Sequence, residues 1–218
     1  DLDDGMLAAC RDLGLKVQTR DAVGFLSELP EASQTVVSGF HIAEHIPFSD
    51  LQALVEAAFR VLKPGGLLIL ETTNPENIVV GTSSFYLDPT HQRPIPPQLL
   101  SFLPEYYGFE RVKTLRLQEP AELSRNQAPT LLDVLGGVSP DYAVVAQKSA
   151  APEHMKLFDA VFQKDYGLTL ETLAQQYEAR LAKAEPRIVA MENSRSWRLT
   201  VPLRWAAEKL RGLRSKQS

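Results

Sequence analysis

Residues 85–94, FYLDPTHQRP, bring a histidine, a carboxylate, an arginine and two aromatic rings into one proline-bounded stretch. An imidazole titrates near neutrality, so His91 can take a proton from a substrate group as general base. Asp88, three residues earlier, is placed to orient that ring. Tyr86 and Arg93 are candidate substrate contacts, the guanidinium suited to an anionic or sugar acceptor. The same stretch allows a plainer role, with Asp88 capping a turn and His91 satisfying backbone groups in a loop stiffened by Pro89 and Pro94. A second constellation, HIAEH at 41–45, sets His41 and His45 four residues apart around Glu44. Two histidines at that spacing can bind zinc on a helix. The glutamate, however, directly precedes the second histidine instead of following the first, as the H-E-x-x-H order requires. No metal is therefore expected. His45 is the second candidate base, with stabilisation of a helix start or loop as the structural alternative. His154 lies apart from both groups and reads as a surface residue.

Chemistry at these positions needs elements to hold them. The clearest is a helix over 49–62, where Leu51, Leu54, Val55, Ala58 and Leu62 recur at helical spacing. Ser49 or Asp50 is placed to cap it, and Pro64-Gly65-Gly66 to end it. A buried strand over 34–40 (QTVVSGF) delivers the HIAEH segment at its end. The apolar run 67–73 (LLILETT) is of the kind buried on both faces of a parallel sheet, and it leads into the His91 loop. Helices are predicted over 6–13, 22–29 and 97–107, and a short strand over 15–19 (LKVQT). Late strands at 111–118 and 142–148 suggest a mostly parallel α/β sheet whose last strand is antiparallel. After Ser149 the pattern is helical throughout. The chain thus divides into 1–149, 150–194 and 195–218.

A chain of 218 residues, 44% hydrophobic and 23% charged, suits one globular domain with an appendage. The single Cys10 excludes an internal disulfide or cysteine metal cluster within these residues and points to a reducing, cytoplasmic setting. No apolar run reaches 18 residues, and no signal peptide is recognisable. The net charge of −4 conceals an asymmetry: residues 187–218 carry about +6 and the remainder about −10. An acidic body disfavours nucleic-acid binding, and the basic end raises a membrane or anionic-partner question for the tail alone.

SGFHIAEHI at 38–46, followed by VLKPGGLLILETTNPEN at 61–77, resembles the class I S-adenosylmethionine-dependent methyltransferases, whose sheet is Rossmann-like. DPTH at 88–91 and GFE at 108–110 look like a subgroup of bacterial surface-polysaccharide biosynthesis. The resemblance implies S-adenosylmethionine as cofactor and methyl transfer to a glycan hydroxyl. A small-molecule or quinone-type acceptor, or a non-catalytic methyltransferase-like scaffold, is the alternative. It implies that Asp1, with Asp3 as fallback, holds the ribose hydroxyls, that Asp21 and Ala22 meet the adenine, and that Phe40 and His41 line the methionine end. Asp21 also has a structural reading, as the N-cap of the helix that follows it. The family's glycine-rich turn is not found, so the domain is expected to lack its first strands, with Asp1 falling near the end of the second.

Leu170, Ala174, Tyr177, Leu181, Ala184, Ile188 and Met191 alternate at spacings of four and three, an a/d seam for a packed helix or a homodimeric coiled coil through 168–192. Pro186 inside the seam should kink or end the helix. Residues 195–218 combine Trp197, Trp205 and leucines with arginines and lysines. Such a basic amphipathic tail suits a peripheral inner-membrane site or a polysaccharide-assembly partner.

Overall fold

The computed structural model describes residues 2–123, 125 and 128–205, which fall into two units, one ending at Leu173 and the other starting at Ala174. The first unit is built on a four-stranded sheet of order β1-β2-β4-β3. Its strands are β1 (Gln34–Phe40), β2 (Leu62–Thr73), β3 (Arg111–Leu117) and β4 (Asp141–Gln147). β1 runs parallel to β2, and β4 lies antiparallel between β2 and β3. This is the open α/β sheet with an antiparallel end that the sequence predicts. Among the described residues, parallel pairing is confined to β1 and β2.

A parallel pair needs a crossover, and helix α3 (Phe48–Val61) supplies it. Its Leu51, Leu54, Val55, Ala58 and Val61 are buried. They share one core with Leu68 and Leu70 of β2 and with Leu100 and Leu103 of helix α5 (Pro97–Tyr106). Each fully buried Leu or Val contributes roughly 1.5–3 kcal/mol, so this face fixes the helix on the sheet. The expected cap is displaced: Pro47, not Ser49 or Asp50, is the N-cap, and no side chain caps the helix. Nor does Pro64-Gly65-Gly66 separate helix from strand, because α3 passes directly into β2. Gly65 adopts a φ of 78°. A Cβ on Gly66 would lie 2.9 Å from the Lys63 carbonyl oxygen and 3.0 Å from that of Thr35. Lys148 Nζ donates to the carbonyls of Phe59 and Leu62, which closes the helix end with a cation where the dipole favours one.

Two expectations near the front of the chain are corrected. β1 is not a buried strand: β2 pairs with one side only, no described strand pairs with the other, and Val36 is 48% and Phe40 62% exposed. Residues 15–19 form no strand between α1 (Asp4–Asp12) and α2 (Ala22–Glu28). A strand needs a ladder neighbour for its backbone groups, and none is present among the described residues. The sequence reading also missed α4 (Ile78–Thr82), the 3-10 turn Ser84–Leu87 and α6 (Leu131–Gly136). The first unit continues through α7 (Pro152–Lys156) and α8 (Asp159–Gln163).

Helix α9 (Leu170–Asn193) runs through Pro186 without ending there. The carbonyl of Ala182, which loses its helical donor, lies on an exposed turn where water can satisfy it. Leu181, Ile188 and Met191 of the a/d seam remain exposed among the described residues. Ser194 caps α10 (Arg195–Leu199), and Arg204 stacks 3.8 Å from the Trp197 ring centroid. Residues 206–218, most of the expected basic tail, lie outside the described residues. No helix among the described residues is long and apolar enough to cross a membrane.

Candidate active site

β1 and β2 end side by side, Phe40 opposite Glu71, and in open α/β sheets the carboxyl ends of parallel strands are where ligands bind. The chain leaves β1 at His41, which takes a left-handed φ of 51° and donates its backbone N–H to the Glu71 carbonyl. A φ of that sign is uncommon for a residue with a Cβ. It brings His41 Nδ1 to 2.9 Å from Glu44 Oε1. Glu44 is 1% exposed, and its Oε2 has no hydrogen-bond partner.

The second wall is the loop after β2. Asn74 and Asn77, both buried, anchor its start through donation to the carbonyls of Ser139 and of Gly136 and Val138. Further along, Gln92 straps the loop to the HIAEH segment: its backbone N–H donates to the Glu44 carbonyl and its Nε2 to that of His45. These bonds bring His91 to His45, ring centroids 4.6 Å apart and edge to face. Phe85 packs against the other side of His91, centroids 4.5 Å apart.

The network assigns both tautomers. His91 Nδ1 lies 2.6 Å from the Phe85 carbonyl oxygen, which can only accept, so Nδ1 carries the proton. Thr90 Oγ1 donates to Asp88 Oδ1 at 2.6 Å and therefore accepts from His45 Nδ1 at 2.9 Å. With Nδ1 protonated, the neutral form of each ring carries its lone pair on Nε2. Asp88 does not orient His91 as expected, since its Oδ2 is 3.9 Å from Nε2. It accepts from Thr90 instead, and that bond holds its carboxyl below the usual range. Asp88 acts through Thr90 on His45, and a backbone carbonyl orients His91. Nearby, burial pushes Asp141 upward, partly offset by the positive charge available on His41.

The other expected contacts sort by position. Tyr86 is 63% exposed, and Arg93 stacks on Phe48 with its guanidinium 4.4 Å from the ring centroid. Asp21 and Ala22 lie in the wall of a cleft of about 780 Å³ that also includes Leu7, Arg11 and Phe25. A second cleft of about 250 Å³ shares Ala22 and Phe25 and continues past Val37, Ser38 and Gly39 of β1. Phe40 and His41 line neither cleft. Asp3 caps α1 by accepting from the N–H groups of Gly5 and Met6. Asp1 lies outside the described residues. The sequence reading missed Thr90, Gln92, Asn74 and Asn77. Their signal is local: short polar residues beside prolines, in the two loops that leave neighbouring strands.

The fold is similar to that of Rossmann-like methyltransferases of known structure. Residues 1–70 match the family described as methyltransferase domain. A crystal structure of a S-adenosylmethionine-dependent methyltransferase from Archaeoglobus fulgidus is 27% identical, with a TM-score of 0.61 over 68% of this chain and 74% of that one. A protein of Mycolicibacterium smegmatis named "Probable S-adenosylmethionine-dependent methyltransferase" is 35% identical over 130 residues, 59% of this chain. The chain spans about half that relative's length, 49%.

The residues present fit the adenosyl part of this cofactor. Ala22 and Phe25 offer apolar walls to a flat ring. The Asp21 carboxyl, which caps α2 through a bond from Gly24 N, keeps acceptor capacity for an amino group. The cap therefore leaves Asp21 able to serve as the expected adenine contact as well.

Proposed function

We propose that the protein transfers a methyl group from S-adenosylmethionine to an oxygen acceptor, and that the acceptor is a sugar hydroxyl of a bacterial surface glycan or its precursor. The observation that carries this reading is the His45–His91 pair, held with both Nε2 lone pairs free of protein donors at the carboxyl edge of the sheet. The cofactor supplies a methyl already activated for displacement. The protein's own task is to align donor and acceptor and to receive the hydroxyl proton. His91 Nε2 is the acceptor of that proton, because its Nδ1 is tied to a carbonyl and cannot exchange roles. Tyr86 and Arg93 flank the same loop and offer hydroxyl and guanidinium contacts to a polyhydroxylated ring. The DPTH and GFE likenesses support the glycan half of the reading.

Calorimetric titration of S-adenosylhomocysteine into the whole protein, followed by methyl transfer to nucleotide-linked and lipid-linked sugars, tests both halves. Binding together with methylation of a sugar oxygen is the expected result. Absence of binding sinks the activity; binding with transfer only to non-sugar hydroxyls sinks the glycan acceptor.

A further inference from the structure

Glu44, His45 and His91 offer one ligand atom each, all within 4.8 Å of one another. The hydrogen bonds around them make this grouping unusual. His45 Nδ1–H is committed to Thr90 and His91 Nδ1–H to the Phe85 carbonyl, so in each neutral ring Nε2 is the nitrogen left with a lone pair and no proton. The third member is a buried carboxyl with one oxygen held by His41 and the other without a hydrogen-bond partner. Each of the three can thus offer an electron pair and no hydrogen, and leaving the buried Glu44 oxygen unmatched costs roughly 1–3 kcal/mol or more.

We propose that Glu44, His45 and His91 form a binding site for a divalent first-row transition ion, with zinc the best match. Two imidazole nitrogens and one carboxylate oxygen are the donor set of three-ligand zinc centres that keep an open fourth position. The surrounding bonds are those of a metal site. Each ligand histidine donates its other N–H to an oxygen, the Phe85 carbonyl or the Thr90 hydroxyl backed by Asp88. His41 braces the carboxyl from outside. Tetrahedral ligands at ~2.0–2.2 Å sit ~3.4 Å apart, so binding draws these atoms inward by about 1 Å. Rotation of side chains alone can supply that shift.

The linear sequence conceals this site. HIAEH suggests His41 and His45 as the ligand pair, but the strand end turns His41 away to brace Glu44, and the ligand that replaces it arrives 46 residues later in the chain. The ion's use rests on the proposed oxygen acceptor. A hydroxyl entering the open position would be acidified by the ion's charge and would release its proton to solvent water. In the ion-bound protein His91 would then serve as a ligand, and the base role assigned to it above would belong to the ion-free protein. Metal binding itself does not depend on that reading.

The test is titration of apo protein with Zn²⁺ by calorimetry, and with Co²⁺ by visible absorption, without cofactor or acceptor. One ion per chain with a tetrahedral cobalt spectrum is expected. His45→Ala and His91→Ala should each weaken binding more than 100-fold. Thr90→Val, which removes only a supporting bond, should cost ~10-fold. Glu44→Gln, which preserves shape, should also lose the ion, and His154→Ala should not. Equal affinity in wild type and the ligand variants overturns the site. So does absence of binding in a folded protein whose His45 or His91 titrates by NMR as a partner of Glu44, because a shared proton would then satisfy the cluster. Failure of methyl transfer with the ion bound would instead count against the function.

Discussion

The carboxyl edge of the sheet has two sides built on different terms. Around His45 and His91 most polar atoms are committed: Gln92 ties one loop to the other, Thr90 links Asp88 to His45, and Asn74 and Asn77 anchor the loop base. Along β1 the walls are mainly apolar side chains and a strand edge that no described strand pairs with, with Val36 and Phe40 exposed. Around Asp21 they include Arg11, Lys16 and Arg20 beside Ala22 and Phe25. The first side is preorganised by its own residues. The second offers surface and acceptor capacity, and its geometry is completed by whatever lies against it. Reactive geometry must be held to fractions of an ångström, whereas an apolar ring needs only a fitting wall.

The largest break in this comparison is His91→Ala. It should lower turnover by about 10²–10⁴-fold while S-adenosylhomocysteine affinity stays within twofold of wild type. Parallel losses in both measurements would mean that the two sides are one site. Next is Asn77→Ala, which strands the buried carbonyl of Val138, leaves the partly buried one of Gly136 without this donor and removes the α4 cap. A cost of roughly 2–3 kcal/mol follows, seen as a melting temperature ~5–10 °C lower. The far cleft should keep its affinity after correction for the unfolded fraction. A melting temperature unchanged by this variant would show that the loop base is not what fixes the acceptor side.

The sheet was legible where period and composition speak for local structure. The 49–62 pattern and the two late strands are cases in which burial of a repeating face decides the element, and α3, β3 and β4 appear within a residue or two of expectation. Residues 15–19 read as a short strand and 34–40 as a buried one because β-branched and apolar letters report propensity, while pairing and burial depend on a neighbour the letters do not name. The candidate site was legible in its residue types but not in its wiring. His91 and Asp88 stand three apart and read as a pair; the actual tie is Asp88 to Thr90 to His45, across two loops. Long-range contacts between loops leave no periodic trace, so His91's partner, the Phe85 carbonyl, was invisible at the level of side-chain types.

Smaller effects sharpen the comparison on each side in turn. Asp21→Ala removes both the α2 cap and the acceptor facing the cleft. Loss of the cap should cost ~1 kcal/mol of stability, and loss of a hydrogen bond about tenfold in S-adenosylhomocysteine affinity. Asp21→Asn separates the two, because an amide oxygen can still cap the helix while its NH₂ group meets an amino donor badly. Full stability with weakened binding is the outcome that assigns Asp21 to the cofactor.

The smallest expected effect lies at Asp141, beside His41 and Glu44. Its carboxyl is held above the ordinary value chiefly by burial, with Glu44 adding repulsion and His41 opposing both. A raised folded-state pKa means that the folded protein binds more protons than the unfolded chain, so stability falls as pH rises from the ordinary carboxyl value through the raised one. Above that window the cost of the buried charge is present in full; below it both states are protonated and the cost vanishes. Asp141→Asn should therefore raise the melting temperature at pH 7 by about 1–2 °C, with the difference closing as pH falls toward about 4. Thermal melts of both proteins across that range decide the point. A variant less stable than wild type at neutral pH would show that Asp141 is needed as a charge partner of His41, and that the acceptor side extends its wiring to the first residue of β4.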